Sequence, residues 1–209
     1  MLIFSHTMKA VSKKNKTALP RPSWDELFVA KAILGSARGN CDRKLIACIL
    51  VNNKKIVGSG YNGSMAGTPT CDEVGHDILN NHCVRTLHAE VNSLANSRGD
   101  LHGATAYVTA TPCLNCVKDL GQHGIARIVY AGHYDNQDDG RIPKYCEQKK
   151  IRLEQICGDA KDAAAILSRI FAKLNGKGGI FEGFNVRLVP VDTAVSKASA
   201  RIEQKWSKK

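Results

Sequence analysis

The 209-residue chain contains no apolar run approaching the ~18 residues that a membrane-spanning helix needs, so no such helix is expected. Its apolar start, Met1-Leu2-Ile3-Phe4, is broken at once by Ser5 and His6. It lacks the charged n-region and long apolar core of a secretory signal. Proline is scarce, at 6 residues, and no internal repeat or biased tract occurs. Collagen-like, low-complexity and wholly disordered chains are thereby excluded. A soluble, cytoplasmic protein is expected, long enough for one domain with an appendage. The stretch Gly176-Lys177-Gly178-Gly179 lacks the G-x-x-x-x-G-K-[ST] pattern, and no strand feeds it, so it reads as a link and not a phosphate loop.

Charge is present in excess but unevenly placed. The formal net charge is +11, yet residues 1–24 hold five Lys/Arg and no acid, and residues 161–209 hold ten against four acids. Residues 25–160 are neutral overall, with fifteen of each sign. A nucleic-acid surface ordinarily concentrates its charge around the site, whereas here it belongs to the two ends. Eight cysteines are also present, and without an export signal they read as metal ligands or redox groups before disulfides.

Three segments follow: a basic arm over 1–23, a central domain over 24–157 and a basic extension over 158–209. Ser23-x-x-Glu26 is a capping box that opens a helix through Trp24, Phe28, Ile33 and Leu34. Leu45–Val51 and Lys55–Gly60 read as a hairpin across Asn52-Asn53. Residues 61–87 show little regular structure beyond a helical turn near Val74–Leu79. Helices at His88–Ser97, Cys113–His123 and Pro143–Lys149 then alternate with strands at Ala104–Thr109, Ile125–Ala131 and Ile151–Ile156. That alternation implies parallel pairing in an α/β sandwich. Beyond it come an amphipathic helix over Asp159–Leu174, a strand over Asn185–Val191 and a last helix over Asp192–Trp206.

Chemistry concentrates in His88-Ala89-Glu90 and Thr111-Pro112-Cys113-Leu114-Asn115-Cys116. Pro112 favours a helix start, and cysteines at i and i+3 share a helix face, so both sulfurs can meet one ion. One His and two Cys leave zinc a fourth, open position, as catalytic sites do, and zinc activates water there. A hydrolysis also needs a proton carrier, for which Glu90 is the candidate.

The H-x-E…P-C-x-x-C pattern resembles the zinc-dependent cytidine and deoxycytidylate deaminases. Gly60-Tyr61-Asn62-Gly63-Ser64, Asn81-His82-Cys83-Val84-Arg85-Thr86-Leu87, Gly121-Gln122-His123-Gly124-Ile125 and Tyr134-Asp135 narrow the likeness to the dCMP deaminases, above all their competence-operon and phage members. The likeness covers residues 24–157. It implies a cytidine deaminase-like fold, a three-layer α/β/α sandwich on a mixed sheet of about five strands, with a C-terminal helical extension. It implies that dCMP is hydrolysed to dUMP and ammonia in pyrimidine deoxynucleotide metabolism. His88, Cys113 and Cys116 would hold the catalytic zinc, and Glu90 would move protons to N3 and the departing amine. Asn62 would bond the sugar or base, Tyr134 would line the pocket, and Arg43, Lys44 or Ser64 would meet the phosphate.

The resemblance also implies a second, structural zinc, for which Cys41, Cys71, His76, His82 and Cys83 are the candidates. Where close bacterial relatives have Cys, this chain has His76. Cys48, Cys146 and Cys157 read as core residues. By the same resemblance the chain forms a homohexamer regulated by dCTP and dTTP with Mg2+, bound between subunits near Asn62–Gly67. The alternative reading is a nucleic-acid deaminase, acting on tRNA adenosine or single-stranded DNA cytosine through the basic tails.

Overall fold

The computed structural model describes residues 19–134 and 140–190. Most of the expected N-terminal arm, Asp135 and the helix expected over Asp192–Trp206 lie outside these residues. Among the described residues no helix is long and apolar enough to cross a membrane.

Helix α1 spans Trp24–Ser36 and opens with the capping box read from sequence, the Ser23 hydroxyl accepting from Glu26 N at 3.1 Å and Glu26 Oε2 from Ser23 N at 2.7 Å. The hairpin follows as β1 (Ala47–Asn52) and β2 (Lys55–Tyr61). Asn53 and Lys54 at its tip have φ of 48° and 62°, which matches the twist of a two-residue hairpin turn. Where little regular structure is expected, four two-residue strands and one helical turn occur. They are β3 (Gly63–Ser64), α2 (Cys71–Val74), β4 (Ile78–Leu79), β5 (His82–Cys83) and β6 (Thr86–Leu87). The helical turn thus lies earlier than expected, and Ile78–Leu79 is extended and paired with His82–Cys83. The series continues as α3 (Ala89–Ala95), β7 (Thr105–Ala110), α4 (Leu114–Gln122), β8 (Arg127–Gly132), α5 (Arg141–Lys149), β9 (Arg152–Gln155) and α6 (Ala160–Asn175). Residues 185–190 form no strand; Leu188 and Val189 within them, and Phe184 just before, are exposed.

The main sheet has five strands in the order β2-β1-β7-β8-β9. β1 is antiparallel to both neighbours, whereas β7, β8 and β9 run parallel. Side chains alternate across it. Cys48, Leu50, Ala106, Val108 and Ile128 face one apolar layer with Val117, Leu120, Ile142 and Cys146 of α4 and α5. Ile49, Val51, Tyr107 and Val129 face the other, with Phe28, Val29 and Ala32 of α1 and Ile166 of α6. This is the three-layer sandwich on a mixed sheet. Cys48, Cys146 and Cys157 are buried in these layers, as read from sequence. Helix α6, assigned from sequence to the extension, covers the sheet beside α1.

Below that second layer Arg127 binds Asp25 twice, at 2.7 and 2.9 Å, and Glu154 at 2.5 Å, while the Tyr107 hydroxyl donates to Asp25 at 2.6 Å. The Arg127 guanidinium holds both carboxyl groups below their ordinary values. The folded chain therefore binds fewer protons in acid than the unfolded chain, and this stabilisation is complete above the ordinary carboxylate range. It is lost as pH falls below about 4 and through the depressed values. Denaturant midpoints taken down that pH series should fall less steeply in Asp25→Asn than in the parent, and parallel curves would contradict the triad's role.

Candidate functional site

The edge of the sheet where β7 and β8 end is also where β1 begins and β2 finishes. Ligand sites of α/β sheets favour the carboxyl ends of parallel strands. Here three loops and the start of α3 converge.

Helix α3 starts there because the chain bends at His88, its N-cap, in extended conformation. Its seat on the sheet depends on glycines: a Cβ at Gly60 would lie 2.4 Å from Ser93 N and 2.6 Å from Ala89 O, and one at Gly58 2.6 Å from Ser93 O. The helix thereby buries Ala89, Glu90 and Ser93 against β2 and β1. Helix α4 starts one residue later than expected, with Cys113 as its N-cap and Cys116 in its first turn. His88 Nδ1 lies 3.5 Å from Cys113 Sγ and 3.3 Å from Cys116 Sγ. All three ligand atoms fall within 4.8 Å of one another.

The chemistry of this donor set fits zinc, one imidazole nitrogen and two sulfurs converging with room for a further ligand. The hydrogen bond between the two thiols pushes Cys113 down to about 4 and pushes Cys116 up, as expected of two sulfurs sharing one proton. A metal ion would replace that proton. Glu90 is 3% exposed, and burial raises its carboxyl above the ordinary range. A carboxyl so shifted suits proton transfer near neutral pH.

These residues open onto a cavity of about 450 Å³, whose wall includes His88, Glu90, Cys113, Asn62, Arg43, Lys44 and Tyr134. Its lining is held in place from behind. The Asn62 side chain accepts from Ile46 N at 2.9 Å and donates to Lys44 O at 2.7 Å, so it braces the loop before β1. An amide has two donors and two acceptor sites, which leaves Asn62 one of each for a ligand. Tyr134 N donates to the Thr111 hydroxyl at 3.3 Å, and the Lys44 ammonium lies 6.0 Å from the centre of the Tyr134 ring. Arg43 is anchored on Asn81 O at 2.8 Å.

Ser64 stands apart. It lines a second cavity of about 780 Å³ with Arg38, Asn40, Tyr61, Gly63 and Ala66, away from the zinc-type cluster. Ile46, Val84 and Thr86 line the first cavity and were not singled out from sequence. Val84 and Thr86 lie four and two residues before His88. In a near-extended segment an even spacing from the ligand places side chains on its face, and that was the available signal.

A second convergence brings together Cys41, Cys71, His76 and Cys83, with ligand atoms again within 4.8 Å. Cys71 and Cys83 sulfurs are 3.5 Å apart, and Cys41 Sγ is 3.7 Å from His76 Nδ1. Three sulfurs and an imidazole make a closed, four-ligand set of the structural zinc kind. His82 is not in this set and lines the first cavity, because the β4–β5 pairing turns it away from its neighbour Cys83. Cys41 and Cys83 border the same cavity, so the two clusters share a wall.

Comparison with known proteins follows the same segment of chain. A family model described as the cytidine and deoxycytidylate deaminase zinc-binding region matches residues 22–132. ComE operon protein 2 of Bacillus subtilis is 33% identical over 141 residues, covering 66% of this chain and 74% of that protein. The deoxycytidylate deaminase of Mycobacterium phage D29 is 34% identical over 125 residues, 54% of this chain and 97% of the phage protein. The deoxycytidylate deaminase of Saccharomyces cerevisiae is 34% identical over 139 residues, but the chain spans only 44% of its length. Among solved structures, the dCMP deaminase of cyanophage S-TIM5 in complex with dCMP and dUMP superposes with a TM-score of 0.55. It is 27% identical, over 65% of this chain and 98% of that one.

Proposed function

Since the chain belongs to the cytidine and deoxycytidylate deaminase family by its zinc-binding region, we propose that it hydrolyses dCMP to dUMP and ammonia. Relatives named deoxycytidylate deaminase, and a similar structure holding dCMP and dUMP, support the choice of substrate. The observation that carries the reading is the placing of buried Glu90 beside the His88–Cys113–Cys116 cluster, on a cavity that also presents Arg43, Lys44 and Tyr134.

In this reading His88, Cys113 and Cys116 hold zinc, which supplies an activated water when bound. Glu90 takes a proton from the water as the water oxygen bonds to C4, and gives it to N3 of the cytosine. It then takes the second proton from the new C4 hydroxyl and gives it to the 4-amino group as the C4–N bond breaks, so that both water protons are accounted for. Burial raises the proton affinity of Glu90, which suits it to hold a proton between these transfers. Asn62 offers its remaining donor and acceptor to the sugar or base. Tyr134 packs beside the nucleotide, and Arg43 and Lys44 face the phosphate. Ser64, on the other cavity, has no role in this set.

Cys41, Cys71, His76 and Cys83 hold a second, structural zinc. The larger cavity beside Gly63–Ala66 receives the regulatory nucleotides dCTP and dTTP with Mg2+, and the working assembly is a cytoplasmic homohexamer. The neutral charge of residues 25–160 supports a free nucleotide over a nucleic acid.

A parallel assay of dCMP, deoxycytidine, dCTP and a cytosine-containing single strand tests the substrate by loss of cytosine absorbance. Turnover of dCMP well above the other three is expected, and removal of zinc with a chelator should abolish it. Turnover of the single strand without dCMP would transfer the site to a nucleic-acid substrate.

A further inference from the structure

His76 uses both ring nitrogens. Nδ1 faces the sulfurs of the second cluster, 3.7 Å from Cys41, while Nε2 lies 3.0 Å from Asp42 Oδ1. Asp42 stands in the sequence between a cluster residue, Cys41, and a cavity residue, Arg43. It is no ligand: the four converging donors do not include it. An imidazole that ligates through one nitrogen generally donates its other N–H to a carboxylate or carbonyl. That contact sets the tautomer and the direction of the lone pair. A thiolate in the place of His76 would need no such partner, so the use of histidine here creates a requirement that Asp42 meets.

Resting on the reading of this cluster as a zinc site, we infer that Asp42 is a positioning residue. Its carboxylate orients His76 toward the metal and, through its neighbours in the chain, holds Arg43 and Lys44 at the nucleotide cavity. The loop is short and tethered at each step. Lys44 N donates to Cys41 O at 3.3 Å, Arg43 holds Asn81 O, and Asn62 binds Lys44 O and Ile46 N. A shift of His76 and Cys41 therefore reaches the two cations directly.

The test is zinc release from the full-length protein to a chromogenic chelator, with the two release phases assigned by Cys113→Ser and Cys71→Ser. Asp42→Ala should speed the second-site phase by about 10- to 100-fold and leave the phase lost in Cys113→Ser unchanged. Asp42→Asn retains an acceptor oxygen for Nε2–H and should recover most of the retention. Asp72→Asn removes the same charge beside another ligand, Cys71, without touching His76, and should release zinc as the parent does. Steady-state kinetics supply the second readout: Asp42→Ala should raise KM for dCMP with kcat unchanged, the mark of lost uniform binding.

Equal release from the parent and Asp42→Ala, with two zincs per chain in both, would overturn the inference and leave the zinc site standing. One zinc per parent chain would overturn the second site and the inference together. Faster release with an unchanged KM would overturn the link to Arg43 and Lys44.

Discussion

Glu90→Gln is expected to lower dCMP turnover by about 10²- to 10⁴-fold, the usual contribution of a positioned general acid–base. The glutamine fills the same buried space and keeps a hydrogen-bonding group, but it can neither accept nor return a proton. Its neighbours should be spared: zinc content at His88, Cys113 and Cys116 and the thermal midpoint should match the parent. Substrate should still bind, since Arg43, Lys44, Asn62 and Tyr134 are untouched. Equilibrium binding of dCMP to the inactive variant measures this directly. Residual turnover within about tenfold of the parent would take the proton-transfer role away from Glu90, since general acid–base groups contribute far more. Loss of zinc in the variant would make the carboxyl a structural part of the cluster.

Gly60→Ala should have the second-largest effect, and by a different route. The new methyl would meet Ser93 N at 2.4 Å, Ala89 O at 2.6 Å and the Asn92 carbonyl carbon at 2.7 Å, all of them backbone of α3. No rotamer change relieves contact with a helix backbone, so the helix itself must move away from β2. Overpacking of this kind costs about 1–3 kcal/mol and occasionally more. The displaced element carries Glu90 and begins at His88, so the lost stability should be accompanied by lost zinc and lost activity. Gly67→Ala is the comparison. Gly67 has φ of +82° with nothing within 4 Å of a built Cβ, so its cost is backbone strain alone, away from α3. Denaturant unfolding with zinc analysis on both variants separates the two mechanisms. A Gly60→Ala protein as stable and as zinc-loaded as the parent would show that α3 is not held by this contact.

These two residues also mark how far the sequence could be read. The convergence of His88, Cys113 and Cys116 was legible because ligand chemistry restricts residue type and the i, i+3 spacing restricts geometry, and Glu90 was marked as a carboxyl close to that set. Strand β1 was legible as a continuous apolar run, because both of its faces are buried, Cys48 and Leu50 in one layer and Ile49 and Val51 in the other. Gly60 was visible as a glycine within a strand and as part of a family motif. Which backbone approached it depended on α3, thirty residues away. Residues 61–87 resisted reading because their order comes from converging side chains at Cys41, Cys71, His76 and Cys83, which impose no periodicity. The strand expected over Asn185–Val191 failed for the opposite reason. Its apolar residues suit a strand, but residues 185–190 pair with none of the described strands, and Leu188 and Val189 stay exposed. Asp42 carried no signal at all, since its value depends on a histidine thirty-four positions further along.

The place of α6 has a bearing on synthesis. Every donor of both clusters lies between residues 41 and 116. Ile166, which closes the face formed by Ile49, Val51, Tyr107 and Val129, comes fifty residues later. Chains are made and begin to fold from the N-terminus, at about 5–20 residues per second. For several seconds a nascent chain therefore holds all its metal donors before β8, β9 and α6 have all been made. During that interval the apolar faces of β1 and β7 lack some of the elements that later cover them, and such transiently exposed surface favours association between chains.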